Sequence, residues 1–399
     1  MTKVKILPLK KTVTNFLLII TFIFFLYPYS FLDKSANYFF VLFPVLITLL
    51  TGKIKKPTEN IVIIVLFFFL IFFIATFYQY ELIQYLDRRL TSFIIFMTLF
   101  SYLIIDIDTK QINAFKAAVV LIIIYFTISN IIKFYIYTLE GQVNFKHFLG
   151  SSRYGFVYLL AFWITLLHKP SNKLFNALKY LTILLILIGI FLTYSRTTIL
   201  AFFLTLVLYF LSNFSSIKKN FFVKLNFFTI IAATFFSILI LIKIFFSKYI
   251  FFNFQDTVFT YIYNDGVNLF LERLSNPLTS EGFRLHMIGK ILHYVSLSPI
   301  FGSGFLGCWI MYDNMGCSAH NQYTDVLFRV GFIGFFFYIL ILFQIFKYLK
   351  NQHRDFFYGF ISIIIYGFFH ETFKLSQGGF ILTFLLGMTY TSKRGNLLN

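Results

Sequence analysis

Long apolar stretches recur along almost the whole chain, and this recurrence constrains the fold more than any other feature. Hydropathy marks twelve of them in 399 residues, near 14–32, 37–51, 61–80, 90–105, 117–137, 153–168, 178–194, 197–214, 227–246, 326–346, 356–370 and 375–391. A helix needs about 20 apolar residues to cross a bilayer. The pattern predicts an all-α polytopic membrane protein with about 12 transmembrane helices.

The composition excludes a soluble enzyme. Hydrophobic residues make up 59% of the chain and charged residues only 12%, whereas soluble domains carry roughly 25% charged residues. So few charges could not cover a water-facing surface of this size. We interpret residues 1–399 as a single integral membrane domain, and the apolar run at 16–29 as an uncleaved first span.

The formal charge of +19 is explained by membrane topology. With the N-terminus placed in the cytoplasm, 20 of the 34 Lys and Arg residues fall on cytoplasmic segments and 11 on exterior ones. Because Lys and Arg are enriched on the cytoplasmic side of membrane proteins, both termini are predicted to be cytoplasmic. The same distribution removes the need for a nucleic-acid partner.

One long hydrophilic interval, at about 247–325, separates the ninth and tenth apolar stretches, and the topology places it outside. Glycines concentrate there, together with both cysteines and three of the seven histidines. Functional groups of membrane proteins tend to lie where polar residues are tolerated and loops can be shaped. We therefore expect the functional site in this exterior loop.

A short amphipathic helix is predicted in this loop, from Arg284 to Val295. Its apolar residues recur at spacings of three and four and are Leu285, Ile288, Ile291, Leu292 and Val295. Its polar residues are Arg284, His286, Lys290 and His293. Such a helix can lie flat at the membrane surface, or it can pack on the protein with its basic residues in solvent.

A turn-forming stretch, Ser298–Gly307, follows and contains Gly302 and Gly304. Glycines there permit backbone angles that other residues resist, so the chain can approach a ligand or re-enter the membrane interface. The glycine spacing resembles a phosphate-binding loop only superficially. No strand precedes it, and no Lys or Asp follows at the required distance, which excludes a nucleotide site.

Three polar groups stand at the ends of apolar stretches. His320 precedes the tenth stretch, and its ordinary pKa of about 6.5 suits a general base, although a single histidine more often only bonds its neighbours. Arg196 lies in a link too short for a loop, where its guanidinium needs an anion from lipid headgroups or from a lipid-linked diphosphate. His370-Glu371 either contacts the acceptor or ends a helix.

Asp106 and Asp108 mimic the carboxylate pair with which many sugar transferases hold a metal and a nucleotide. They fall in a short cytoplasmic link with no domain to bind a nucleotide. We interpret them as a helix end.

Four features in order resemble the signature of the O-antigen ligase and O-antigen polymerase family. They are Ser195-Arg196, Gly282-Phe283-Arg284, the run Ser298 to Phe305, and His320-Asn321 followed by Gly331 and Gly334. The twelve-span plan is similar to that family over nearly the whole chain. The resemblance implies a bacterial inner-membrane glycosyltransferase of the multi-span, GT-C-like class, whose donor is a glycan on undecaprenyl diphosphate.

The resemblance also implies roles for individual residues. His320 would deprotonate the acceptor hydroxyl, and Arg284 and Arg196 would hold the diphosphate and keep the imidazole neutral by like-charge repulsion. The expected substrate-binding residues are Asn321, Gly302, Gly304, Lys290 and Glu371. No metal or cofactor is expected, because the diphosphate is already a good leaving group. The expected partners are the undecaprenyl-diphosphate-linked oligosaccharide, membrane lipids and a polysaccharide chain-length regulator.

The acceptor separates the two functions of this family. A polymerase transfers the glycan to a sugar hydroxyl of the next lipid-linked repeat, and a ligase transfers it to the lipid A core. Abundant Phe, Ile and Lys is typical of an AT-rich polysaccharide gene cluster, which favours a polymerase. A flippase of the lipid-linked glycan is the more distant alternative, since flippases usually have internal repeats and ionisable residues near the membrane midplane.

Cys308 and Cys317 form a candidate disulfide. Both lie in the exterior loop, which faces an oxidising compartment, and a bridge would constrain the segment before His320. Their spacing permits a bridge and does not require one.

Overall fold

The computed structural model describes residues 16–23, 26, 106–139, 154–169, 172–193, 195–217, 272, 274–278, 280–303, 319–372 and 376–395. The predicted spans near 37–51, 61–80, 90–105 and 227–246 lie outside the described residues, as do Gly304, Cys308 and Cys317. The chain divides into two compact units. The first unit takes in 1–136, 145–202 and 291–399, and the second takes in 137–144 and 203–290.

The described residues are helical and contain no strand, which confirms the all-α prediction for this part of the chain. Residues 16–23 are helical, and the helices after them are α1 (Thr109–Leu139), α2 (Gly155–Leu167), α3 (Lys173–Leu192), α4 (Arg196–Ile217), α5 (Ser280–Leu297), α6 (Gln322–Gln352), α7 (Arg354–Gly367) and α8 (Ser376–Gly395).

Three helices in the described residues are long and apolar enough to cross a membrane, at Thr109–Ile136, Lys173–Leu192 and Gln322–Gln352. Shorter apolar helices occupy Gly155–Leu167, Thr197–Ser212 and Gln377–Thr389. All six coincide with stretches predicted from hydropathy. The chain is thus a helical membrane protein, and the total of 12 spans and the GT-C-like arrangement stay predictions.

The centre of the first unit is α2. This helix is apolar on all sides, as expected of a helix surrounded by others, and every residue from Gly155 to Leu166 is buried. It packs against α7, where the Trp163 indole N–H donates to Ser362 Oγ over 2.9 Å. At Gly359 on α7 the absent side chain leaves room for Leu160. These contacts place α7, and the turn that follows it, firmly on the core.

Phenylalanine fills a second part of this core. Phe115 on α1 stacks on Phe384 of α8 with 4.1 Å between ring centroids, and Phe22 contacts both rings at 5.8 and 5.6 Å. All three side chains are fully buried. Aromatic pairs of this geometry add about 0.5–1.5 kcal/mol each beyond burial of area, so the abundant Phe residues join helices distant in sequence.

Helix α6 is broken at Gly331, whose backbone is left-handed with φ 63° and ψ −170°. Gly302, also left-handed at φ 73°, lies against this break, because a Cβ on Gly302 would be 2.6 Å from the carbonyl carbon of Arg329. A Cβ on Gly331 would in turn be 2.6 Å from the Gly302 nitrogen. Each glycine therefore leaves space for the backbone of the other.

The turn that follows α5, at Pro299–Ser303, supplies the hydrogen bonds that the break removes. The N–H groups of Phe332 and Ile333 donate to the carbonyls of Pro299 and Ile300 over 2.8 and 3.4 Å. Ser303 N–H donates to the Phe328 carbonyl over 2.7 Å. The glycine turn thus approaches the backbone of the broken helix, and its predicted contact with substrate through Gly302 stays a prediction.

The opposite end of α6 meets α7 at His353, which ends one helix and precedes the next. Burial lowers the pKa of the His353 imidazole; Lys116 adds to this and the negative charge of Asp355 opposes it. Asp355 pairs with Lys116 of α1 over 2.5 Å, and the Lys116 ammonium lies 5.1 Å from the centre of the Phe356 ring. These contacts fix the end of the helix pair that lies away from the loop.

Replacing Gly331 with Ala is expected to destabilise the protein by about 2 kcal/mol or more, since a left-handed backbone alone costs Ala about 1–2 kcal/mol and the new Cβ would collide with the Ile300 carbonyl. Thermal unfolding of the purified protein in detergent measures the loss. The control is Gly289→Ala on α5, where nothing lies within 4 Å of the added Cβ. Equal unfolding temperatures for the two variants would contradict the proposed packing.

Candidate active site

A sharp turn holds His320 immediately before α6. Among the described residues, His320 alone of the non-glycine residues has a positive φ, at 50°. Left-handed backbone is uncommon outside glycine and is several-fold enriched in His, Asn and Asp. Unusual backbone angles persist when surrounding contacts impose them, and they cluster at functional sites. The contacts of the neighbouring residues explain how this turn is imposed.

Both polar atoms of the Asn321 side-chain amide form hydrogen bonds that hold the turn. Its Oδ1 caps α6 by accepting from the N–H groups of Tyr323 and Thr324 over 2.9 and 3.1 Å, as expected of an N-cap asparagine. Its Nδ2 donates to the carbonyl of Phe368, just after α7, over 3.0 Å. The residue predicted to bind substrate thus joins the start of α6 to the end of α7.

Further contacts strengthen this junction. The Tyr323 hydroxyl donates to the Ile364 carbonyl over 2.8 Å, and its ring lies 4.5 Å from that of Phe368. The buried Thr372 hydroxyl donates to Gln322 Oε1 over 3.4 Å. The start of α6 and the end of α7 are therefore joined within one turn of His320.

Glu371 lies on the other side of the turn. Its carboxylate accepts a short hydrogen bond from the N–H of Ala319, the residue before His320. A carboxylate accepting a backbone N–H makes a charge-assisted bond, about twice as strong as a neutral one. The sequence left two interpretations of His370-Glu371, contact with the acceptor or the end of a helix. The structure places Glu371 beside the His320 turn, and its contact with substrate stays a prediction.

His370 approaches His320 from the same segment. The two ring centroids are 6.2 Å apart with an interplanar angle of 58°. On its other side His370 stacks on Tyr366, at 4.9 Å and 24°, and the Tyr366 side chain is fully buried. The backbone N–H of His370 donates to the Tyr366 carbonyl over 3.1 Å. A fixed second imidazole therefore lies beside the first.

A buried ion pair lies one turn into α6. Arg329 Nε donates to Asp325 Oδ2 over 2.7 Å, and the two residues are 9% and 1% exposed. The negative charge of Glu371 also acts on Arg329. Buried charges are tolerated when they are paired in this way, and the carboxylate of Glu371, in the segment after α7, adds to the compensation of the cation.

The predicted loop helix is confirmed as α5, but its packed face differs from the prediction. Met287, Ile291 and Val295 are buried, whereas Leu285 and Leu292 are 54% and 50% exposed. At 100° per residue these leucines lie about 100° from the buried line. The predicted apolar stripe was wrong there, because it included leucines beside the packed face and omitted Met287.

The same helical geometry divides the polar residues of α5 between the packed side and the exposed side. Arg284 is half-buried and lies seven residues before the buried Ile291, on the packed side. Lys290, His286 and His293 are exposed. Arg284 thus stands in a different environment from Lys290, and the expected meeting of Arg284 with His320 stays a prediction.

Two other sequence candidates lie at helix starts. Ser195 Oγ accepts from the N–H of Thr198 over 3.2 Å and caps α4, which begins at Arg196; the Arg196 side chain lies outside the described residues. Asp108 caps α1 in the same way, by accepting from Gln111 N–H over 2.8 Å. The interpretation of Asp108 as a helix end is confirmed.

The described part of the chain is that of a helical membrane protein, with a candidate site around His320 where one apolar helix begins. Residues 181–339 match the family model described as O-Antigen ligase. This match covers less than half of the chain and supports the resemblance to the O-antigen ligase and polymerase family. No curated protein matches the chain significantly.

The matched segment contains Arg196, Arg284 and His320 but ends within α6. His370 and Glu371 lie beyond it, and the structure brings them to the His320 turn. Sequence reasoning did not single out Asp325 and Arg329, although opposite charges four residues apart at the mouth of an apolar helix were a usable signal. The contact of His370 with His320 left no signal in sequence, because it depends on how α6 and α7 pack.

Replacing Arg329 with Met is expected to cost about 3–5 kcal/mol, since removing one partner of a buried ion pair leaves the other uncompensated. Asp325→Asn is expected to cost less, because the negative charge of Glu371 still partly compensates Arg329 in that variant. Denaturant unfolding in detergent measures both. Lys347→Met, at an exposed position of the same helix, is the control and should change stability by no more than about 0.5 kcal/mol. Equal losses in the two ion-pair variants would show that Glu371 contributes nothing.

Proposed function

We propose that the protein is a polymerase of O-antigen or a related surface polysaccharide. It transfers a glycan from undecaprenyl diphosphate to a sugar hydroxyl of the next lipid-linked repeat, on the outer face of the bacterial inner membrane. The observation that carries the proposal is the His320 turn, fixed by Asn321 and Glu371 at the start of an apolar helix. A general base must be held in position to be useful.

The reaction needs one base and stabilisation of a leaving anion. The acceptor oxygen forms a bond to the anomeric carbon while the bond from that carbon to the diphosphate breaks. The hydroxyl proton passes to the imidazole of His320, and the electron pair of the broken bond leaves with the diphosphate. In this proposal Arg284 and Arg196 bind the diphosphate, since guanidinium groups match phosphate oxygens by paired hydrogen bonds.

Glu371 supports the base in two ways. Its hydrogen bond to Ala319 N–H holds the turn from which His320 projects. Its negative charge, held next to this turn, favours the imidazolium that forms when His320 takes the proton. The role of Glu371 is therefore to position the base and to stabilise its charged form.

Replacing His320 with Asn is expected to lower glycan transfer by about 10²–10⁴-fold, the usual contribution of a general base, with little loss of stability. Asn tolerates the left-handed backbone at this position, so the variant removes the base and keeps the turn. The measurement is the surface glycan of a deletion strain that expresses the variant, with quantification of the lipid-linked donor. His286→Asn, at an exposed position of α5, is the matched control and should support normal glycan.

The products distinguish the two members of the family. An inactive polymerase leaves core capped by a single repeat. An inactive ligase leaves bare core and long chains retained on the carrier. The family model, described as O-Antigen ligase, favours the second candidate, so the ligase is the alternative that this readout decides. Normal long-chain glycan from the His320→Asn strain would contradict both.

Glu371→Ala is expected to lower transfer by about tenfold or more relative to Glu371→Gln. A glutamine carbonyl can still accept from Ala319 N–H, whereas alanine releases the turn and displaces the base. Transfer rates of the two purified variants, measured with lipid-linked repeat, make the comparison. If the two variants lose equal activity, holding the turn is not the main role of Glu371.

A further inference from the structure

The imidazole of His370 has no part in the reaction as described, although it is built firmly into the same turn. Its ring stacks on the buried Tyr366 at 4.9 Å, and its backbone N–H is bonded to the Tyr366 carbonyl. Stacking fixes the plane of the ring, and its two nitrogens form hydrogen bonds within that plane. Glu371, the next residue, holds the turn that carries His320. The position of one imidazole is therefore set relative to the other.

The distance between the rings suits a sugar. With 6.2 Å between ring centroids and an interplanar angle of 58°, the rings are too close for a pyranose ring to enter between them, but one sugar lying alongside can present hydroxyl oxygens to both. Hydrogen bonds to imidazole nitrogens span about 2.8 Å, and neighbouring hydroxyls of a sugar are separated by a similar length. Two adjacent hydroxyls of one sugar can thus each reach one imidazole.

We propose that His370 binds the acceptor sugar at the hydroxyl next to the one that His320 deprotonates. This inference rests on the proposed function. His370 is then a substrate-binding residue that selects which hydroxyl reacts, and the acceptor is a sugar with a vicinal pair of hydroxyls. The transfer step is unchanged, because the proton still passes to His320 and the electron pair still leaves with the diphosphate.

The chemistry of the nucleophile explains why His370 binds the neighbouring hydroxyl. The attacking oxygen must keep a lone pair directed at the anomeric carbon while His320 removes its proton. A second N–H donated to that oxygen would draw density from this lone pair and weaken the nucleophile. The same bond given to the adjacent hydroxyl orients the sugar without this cost.

Two variants of His370 separate binding from packing. His370→Phe keeps an aromatic ring to stack on Tyr366 and removes both nitrogens, whereas His370→Gln keeps a hydrogen-bond donor and loses the ring. The full-length protein is purified in detergent and assayed with lipid-linked repeat isolated from a strain that lacks the enzyme. Lipid-linked repeat serves as both donor and acceptor, so the assay reports one apparent KM. We expect this apparent KM to rise about tenfold in His370→Phe, as for a lost hydrogen bond, and to stay within about threefold of the parent in His370→Gln.

The outcomes are distinct. If the ring serves packing alone, His370→Phe matches the parent and His370→Gln is the impaired variant, which overturns the proposal. Equal impairment of the two variants also overturns it. Unfolding temperatures of both are measured alongside, and His370→Phe should unfold at the parent temperature. If His320→Asn is inactive but His370→Phe has the kinetics of the parent, only the role of His370 is refuted. If His320→Asn is active, the proposed function itself is refuted.

Discussion

The break in α6 at Gly331 is the constraint on which the rest of the described site depends. A helix that is interrupted in an apolar environment leaves backbone N–H and carbonyl groups without partners, and each costs several kcal/mol. Here the turn at Pro299–Ser303 supplies those partners on both sides of the break. Because side chains would fill the space between the two backbones, the arrangement requires glycine at 302 and 331.

This backbone contact also explains how the loop reaches the membrane helix. The end of α5 leads directly into the turn that caps the break, and Tyr294 contacts the ring of Phe328 at 6.0 Å. The first part of α6 is therefore held on one side by this turn and on the other by the end of α7, through Asn321 and Tyr323. His320 projects from a segment anchored by two independent contacts, which gives the rigidity that its proposed role as a base requires.

Hydropathy and spacing predicted the helices near 117–137, 178–194 and 326–346, as well as the loop helix, because burial in lipid or protein leaves a periodic apolar signal. They also placed His320, Asn321 and the glycine turn within one exterior loop. Hydropathy and spacing could not predict which residue each of these groups contacts. The pairing of Gly302 with Gly331, and of Ala319 with Glu371, depends on helix packing and is not encoded in local spacing.

The carboxylate of Glu371 bears on how a base would work at this turn. It accepts from the N–H of Ala319, the residue before His320, and its charge also acts on Arg329 of the buried Asp325–Arg329 pair. In the proposed reaction His320 takes a proton from the acceptor and becomes an imidazolium. A carboxylate held beside the turn stabilises that positive charge, whereas Arg284 and Arg196, which the proposal assigns to the diphosphate, oppose it. The proposed proton transfer therefore depends on the balance between Glu371, which favours it, and the two arginines, whose charge the bound diphosphate compensates.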